Sequence, residues 1–424
     1  MKINSIFNRI GNIDIIYILL LFVMFMDVYF LYLLESSGLY TNIVFLANIC
    51  IFAFELLQYR FTSNSKSVIN LFIACILILL VISVYSGTQT YGQSVIDGLL
   101  AQREWLSWML LAATLNSMFQ RHRITVDGIK KTVIIFAKIY ALLCILQYII
   151  YPSIIFMHPT INERYGSPRL YFDTTYFIFA SGLLLDKDKL KEKLNYSSLL
   201  WILLFLRVIA IVTKGRMATI AFIMPIAFYF LCRKQRNIIK KITAICIILC
   251  FALIFINFTT IGQDTLATLN GDSTQTDTLS IRDDEKSYYL HLWTQNLSTV
   301  LLGLGVPNAH NDFAQQLLNP VWTGSLWSDA KYYLSDTGVL GCFVQYGIVG
   351  LIITVCLYTT LLYLAIKCYT LTGSITYLLF IASEFVASSS LVPSLFNTSL
   401  LFPMILSLAL SETSRKVFQN KGLL

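Results

Sequence analysis

The apolar positions of this chain fall in long uninterrupted runs, separated by short polar connections that hold most of the charge. A helix needs roughly 20 mostly apolar residues to cross ~30 Å of hydrocarbon. By that measure the pattern predicts membrane-crossing helices at 13–34, 42–58, 68–86, 104–119, 132–151, 170–185, 197–213, 217–232, 242–259, 345–366, 374–391 and 396–411. Several are short, so the prediction is about twelve spans with ends uncertain by several residues. The runs are continuous, as in Leu71–Tyr85, and lack the two-residue alternation of barrel strands. The first, Ile15–Leu34, is too long for the core of a cleaved signal peptide and has no small-residue cleavage site, so it is expected to remain as the first span.

Polar connections give the orientation. Lys and Arg collect in alternate loops: Arg60 and Lys66; Arg121, Arg123, Lys130 and Lys131; Lys187, Lys189, Lys191 and Lys193; Arg233, Lys234, Arg236, Lys240 and Lys241. Positively charged loops stay in the cytoplasm, so these connections and both termini are predicted there, in a multi-pass membrane protein. The chain then divides into nine spans over 1–260, an extracytoplasmic segment at 261–337, and three further spans with a cytoplasmic C-terminus over 338–424.

Residues 261–337 break the apolar pattern. They hold nine acidic residues against three basic ones, which suits the outer face, and loops of this length commonly form lids or binding surfaces. Leu290, Trp293, Leu297, Val300 and Leu301 recur at helical spacing and predict an amphipathic helix lying against the bundle. Trp293, Trp322, Trp327 and Tyr288 fall here too. Such rings stack on the apolar faces of sugars, and they equally anchor loops at a membrane interface; both uses fit.

Composition agrees with the pattern. The chain is 57% hydrophobic and 13% charged, with a mean hydropathy of +0.69, whereas soluble domains are about a quarter charged. The net charge of +8 follows from the loop asymmetry, and nothing else in the sequence supports a nucleic-acid partner. All nine cysteines lie in or beside apolar runs, so neither a disulfide framework nor a thiolate metal site is expected. The four histidines show no paired metal spacing, and no Gly-rich nucleotide loop is present. No metal and no cofactor are predicted; the energy for any chemistry has to come with the substrate.

Charges in unexpected places carry the most information. Arg103 opens the fourth predicted span, Arg164 and Arg169 lie in the outer loop before the sixth, and Arg216 begins the eighth, all on the side where arginine is disfavoured. Guanidinium groups at one membrane level suit a pyrophosphate, which they grip bidentately; single arginines there also contact lipid headgroups or a local acid such as Glu104, Glu163 or Asp173. Asp27, Glu55, Lys138, Arg207 and Glu384 lie inside apolar runs, where a charge is costly unless paired or facing a wet cavity. Glu55 has Arg60 as a nearby partner, and Arg207 and Lys214, seven apart, are predicted to share a helical face leading toward Arg216.

Three stretches resemble the bacterial O-antigen ligase and Wzy-type polysaccharide polymerase superfamily. Thr213-Lys-Gly-Arg216-Met-Ala-Thr-Ile-Ala221 is similar to the family's arginine at the outer start of a span, with Gly215 where serine is usual. Leu292-Trp293 followed by Leu301-Leu302-Gly303-Leu304-Gly305 is similar to the tryptophan and Gly-x-Gly of its large outer loop. Ser335-Asp-Thr-Gly-Val-Leu-Gly-Cys-Phe-Val-Gln-Tyr-Gly-Ile-Val-Gly-Leu351 is similar to the segment that re-enters the membrane. The likeness covers roughly 160–355, and its order and sidedness are more specific than any one motif. Ligase-type members carry a His-Asn pair before the last glycine group. Here that spacing reaches Asp336, eleven residues before Gly347, while His310-Asn311 stands farther upstream.

The resemblance implies an all-α membrane-embedded glycosyltransferase of GT-C-like architecture with a polyprenyl-diphosphate-linked oligosaccharide as donor. Arg103, Arg164, Arg169 and Arg216 would then hold the pyrophosphate, Asp336 or His310 would be the general base, and Trp293, Trp322, Trp327 and Tyr288 would meet the glycan. A second lipid-linked repeat as acceptor makes the protein a polymerase of surface polysaccharide; a different acceptor makes it a ligase. A flippase and a chain-length regulator are the implied protein partners. A lipid-linked-oligosaccharide flippase or exporter is the reading from another class, and the single large aromatic loop and the missing internal repeat fit it poorly.

Overall fold

The computed structural model describes residues 2–28, 37–59, 68–157, 160–164, 167–189, 195–232, 273–308, 310–321, 331–334, 337–388 and 400–420. In chain order the helices are α1 (Lys2–Asp27), α2 (Ser37–Tyr59), α3 (Val68–Tyr91), α4 (Val95–Ala101), α5 (Arg103–Gln120) and α6 (Val126–Ile150). A short hairpin follows, β1 (Thr160–Arg164) and β2 (Ser167–Tyr171), then α7 (Thr175–Lys189), α8 (Tyr196–Arg207) with a π-helical turn at Val208–Val212, and α9 (Arg216–Cys232). The rest is α10 (Ser273–Thr294), α11 (Leu297–Leu302), α12 (Asp312–Leu318), α13 (Leu340–Thr372), α14 (Thr376–Ala387) and α15 (Leu401–Asn420).

Within the described residues every predicted span overlaps one of these helices; 242–259, and the ends of 13–34, 374–391 and 396–411 that fall at 29–34 and 389–399, lie outside them. The span predicted at 170–185 starts too early, because Leu170 and Tyr171 belong to β2, and α7 begins only at Thr175. By length and composition α3, α6 and α13 can each cross a membrane, and shorter apolar helical stretches include Ile15–Asp27, Asn42–Leu57 and Tyr196–Val212. The chain is a multi-pass membrane protein, mostly helical among the described residues.

Its interior is built on aromatic packing. Among helices in lipid there is little hydrophobic drive to associate, so close van der Waals fit has to hold them. Phe136 and Tyr140 of α6, Phe177 of α7 and Phe205 of α8 form a column of stacked rings with centroid separations of 5.5, 5.2 and 5.2 Å. Trp108 of α5 stacks on Phe402 of α15 at 6.0 Å, and α15 also packs against α13. Large apolar side chains such as Val81, Ile149, Ile352 and Phe385 point outward, as lipid-facing positions do.

The two ends of the bundle differ in chemistry. At one end the carboxylate of Glu55, fully buried, accepts from the Arg123 guanidinium and from Ser117 Oγ at 2.9 Å, with Arg121 Nε 3.9 Å away. Glu55 is thus satisfied across the α2–α5 packing by α5 and the turn after it; Arg60 lies outside the described residues. Lys130 and the Tyr377 hydroxyl both reach Glu412, at 2.6 and 2.8 Å, and Asp186 at the end of α7 accepts the Ile375 N–H at 2.8 Å, serving the start of α14. At the opposite end Asp27 accepts from the Tyr176 hydroxyl at 2.9 Å and the Leu400 N–H at 3.0 Å, tying α1 to the starts of α7 and α15. That second end also carries the hairpin, the π-turn and α10–α12.

Candidate functional site

The site grows from a break in α13. Gly347 has φ +64° and ψ −164° within the helix, so carbonyls before it lose their helical donors. Two are taken over by the segment after α11: Leu304 N–H donates to Val344 O at 2.7 Å and Gly305 N–H to Gln345 O at 2.9 Å. Main chain meets main chain here, and only glycine permits it. A Cβ on Gly303 (φ +74°) would collide with the backbone of Gln345 and Tyr346, and one on Gly347 with Leu301 and Leu302. Gly305 (φ +83°) sits in the same way against Ser83 and Gly87 of α3.

Beyond Gly305 the chain runs along the end of α3 and the start of α4. Val306 N–H donates to Ser83 Oγ at 2.9 Å, the Tyr91 hydroxyl reaches Gly305 O at 3.4 Å, and Asn308 Nδ2 lies 3.4 Å from Asp97 Oδ1. His310 follows, exposed, with its N–H on Asn308 Oδ1 at 3.1 Å. Asn311 donates to Tyr91 O at 3.1 Å, and its Oδ1 caps α12 by accepting from Ala314 N–H at 3.0 Å.

A second cluster surrounds the turn into α9. The π-turn closes with Thr213 N–H on Val208 O at 2.9 Å, after which Lys214 adopts φ +49° and is buried. Arg169 Nε donates to Thr213 O at 2.8 Å, and its guanidinium lies over the Tyr171 ring, 3.8 Å from the centroid. Arg216 is the first residue of α9, a position where helix geometry leaves N–H groups without helical acceptors. The shared helical face predicted for Arg207 and Lys214 does not exist: α8 ends at Arg207, and the wider π-turn and the left-handed Lys214 reset the register.

The predicted site residues therefore fall in several places. Arg164 ends β1, paired with Ser167, on the same hairpin as Arg169, and the Arg169–Thr213 bond joins that hairpin to the turn before Arg216. Arg103 lies on a different junction, between α4 and α5, with Nη1 on Leu100 O at 2.8 Å. His310 belongs to the α3–α4 side through Asn308 and Asn311. Asp336, Trp322 and Trp327 lie outside the described residues.

Trp293 donates Nε1 to Val300 O at 3.1 Å and packs on Phe343 of α13 at 4.8 Å, fastening α10 to α11 and α13. Tyr288 donates to Leu317 O at 2.8 Å, supporting α12. Burial raises the Tyr288 phenol above its usual range; burial, then Asp284 and Glu285, do the same for Tyr332, so both rings stay neutral donors.

The predicted amphipathic helix is two helices. α10 stops at Thr294, and Asn296 opens α11 with a reciprocal capping box, its Oδ1 accepting Thr299 N–H at 2.9 Å. The buried face of α10 is Glu285, Tyr289 and Leu292, while Leu290 and Leu297 are 48% and 74% exposed. Apolar spacing carried across the Gln295–Asn296 break mixed two faces. Sequence reasoning also passed over Ser83, Ser86, Tyr91 and Gln93. Their signal was the polar run Ser83–Ser94 closing an apolar span, which looks like an ordinary membrane interface until its partners are known.

No curated protein matches the chain. Residues 199–355 match the family model described as O-antigen ligase. The match runs from α8 into α13 and takes in the Thr213–Arg216 turn, the Gly303–Gly305 segment, His310 and Gly347. Over residues 199–355 the chain is thus similar to the O-antigen ligase family, in keeping with the resemblance read from its sequence.

Proposed function

We propose that the protein is a membrane-embedded glycosyltransferase of GT-C-like architecture, with about twelve spans, that polymerises polyprenyl-diphosphate-linked oligosaccharide repeats into surface polysaccharide. It acts on the outer face of the bacterial cytoplasmic membrane, with 261–337 outside and both termini inside. The observation that carries this reading is the Arg169-braced turn ahead of Arg216, inside the matched domain and at the end of the bundle opposite the Glu55–Arg123 pair.

In this reaction the anomeric C–O bond to the diphosphate breaks as an acceptor hydroxyl bonds to the anomeric carbon. Polyprenyl diphosphate leaves with the electron pair, and the hydroxyl proton passes to a base. Negative charge grows on the leaving diphosphate, so guanidinium groups from Arg164, Arg169 and Arg216 stabilise the transition state more than the ground state. Asp336 or His310 takes the proton. Arg103 extends the cationic surface at the α4–α5 junction, and the tryptophans and tyrosines of 261–337 border the glycan.

Ligation is the second reading. It uses the same donor chemistry with another acceptor, and the family description together with the His310-Asn311 pair favours it. A polymerase would work beside a flippase that delivers repeats and a regulator of chain length. The glycans of a strain lacking the protein separate these readings: single lipid-linked repeats outside mark a polymerase, unattached polymer a ligase, and repeats held inside a flippase.

A further inference from the structure

The outer segment at Val306–Asn308 is gripped by one side chain that neither the arginines nor the candidate bases account for. Gln93 is 5% exposed, in the turn that leaves α3 through Gly92 (φ +64°). Its Nε2 donates to Val306 O at 3.1 Å, and its Oε1 accepts from Asn308 N–H at 2.9 Å. The residue between them is Pro307, which has no N–H. Val306 O and Asn308 N–H are therefore an acceptor and a donor flanking one residue, as on the edge of a strand, and a carboxamide matches both at once.

Space for the amide is made by glycine. A Cβ on Gly87 of α3 would collide with Gln93 Nε2, and one on Gly98 of α4 would come within 3.4 Å of it. The slot between α3 and α4 thus takes a flat amide. From the clamp the chain needs only Ala309 to reach His310, whose N–H is on Asn308 Oδ1 at 3.1 Å, and Asn311 fixes the far side on Tyr91 O at 3.1 Å. His310 is held between two anchors that both originate on the end of α3.

We propose that Gln93 is a positioning residue for the reaction, clamping Val306 and Asn308 so that the His310-Asn311 segment keeps one register beside the acceptor. The proposal rests on the glycosyl-transfer reading above. A displacement of about 1 Å in a segment that positions the acceptor costs on the order of 100-fold in rate whichever group is the base, so losing the clamp acts on turnover more than on donor binding.

Gln93→Glu gives a test that keeps the shape. An ionised carboxylate cannot donate to Val306 O, whereas a protonated one donates there and still accepts from Asn308 N–H. Burial raises a carboxyl pKa, so protonation occurs in an accessible range. With full-length protein in proteoliposomes, amide exchange over 303–311 should rise by ~10-fold in Gln93→Ala, as expected for a locally opened segment. In Gln93→Glu, exchange and kcat relative to wild type at each pH should be impaired near pH 8 and recover on acidification toward pH 5, with KM for the lipid-linked donor little changed. Unaltered exchange in Gln93→Ala, or a kcat for Gln93→Glu that does not recover with acid, would overturn the clamp. A wild-type protein without glycosyl transfer would overturn the functional reading instead, whereas wild-type turnover that persists in Gln93→Ala would overturn the positioning role alone.

Discussion

Arg169 Nε donates to the carbonyl oxygen of Thr213 at 2.8 Å, and this bond joins the β1–β2 hairpin to the turn from which Arg216 starts α9. The carbonyl needs a donor because the π-turn and left-handed Lys214 interrupt the helical ladder. Arg169 supplies it while its guanidinium lies flat on Tyr171. A lysine keeps the charge but has neither the planar fork nor the Nε geometry. Arg169→Lys and Arg216→Lys should each lower polymer yield by ~10-fold or more at equal protein abundance, read from glycan ladders of whole membranes. Tyr171→Phe keeps the ring face and should stay near wild type. Normal ladders from both arginine variants would leave these residues as headgroup contacts.

Asp336 and His310 are separated by removing the proton-accepting atom while keeping the shape. Asp336→Asn should abolish transfer with normal membrane expression, and His310→Gln should have the milder effect. An aspartate acting only as a helix cap would tolerate asparagine, which caps about as well. The opposite ranking in a turnover assay would move the base to His310, and full activity in both would exclude either as the required base.

The Glu55–Arg123 pair sets up a stability prediction. Glu55 is fully buried and Arg123 is 17% exposed, so Arg123→Ala strands a carboxylate in the interior. Breaking such a pair costs about 3 kcal/mol, toward the lower end because Arg121 remains nearby. The unfolding midpoint in detergent should fall in Arg123→Ala and fall less in the Glu55→Gln, Arg123→Met double variant. Equal losses would mean that the charge pairing contributes little.

Most of the helices were legible because hydrocarbon thickness and the cost of unpaired backbone in lipid leave few alternatives to a long apolar helix. The Arg216 turn and the glycines were legible as types, since arginine at the start of an apolar run and glycine at close approaches have physical reasons tied to the residue itself. What could not be read was partnership. Arg169 on Thr213, Gln93 on Val306, and Glu55 on Arg123 depend on which helices lie side by side, and no local spacing encodes that. The break at Gln295–Asn296 was missed because a capping box of Asn and Thr resembles ordinary polar helix surface.

Gly305 gives a prediction about folding. Its φ of +83° and its contact with Gly87 and Ser83 leave no room for a methyl group. Gly305→Ala should destabilise the docking of 303–311 on α3 by more than about 1 kcal/mol, the scale of a strained backbone position. Proteolysis between α11 and α12 should become faster than in wild type. Unchanged protection would show that the α3 contact is dispensable.

Transfer in a defined system tests the central claim most directly. Purified protein in proteoliposomes, given a polyprenyl-diphosphate-linked oligosaccharide, should release free polyprenyl diphosphate in step with a lengthened or transferred glycan, and Arg216→Lys should lose most of both products. Lipid-linked oligosaccharide that moves across the bilayer chemically unchanged, with no diphosphate released, would contradict the account.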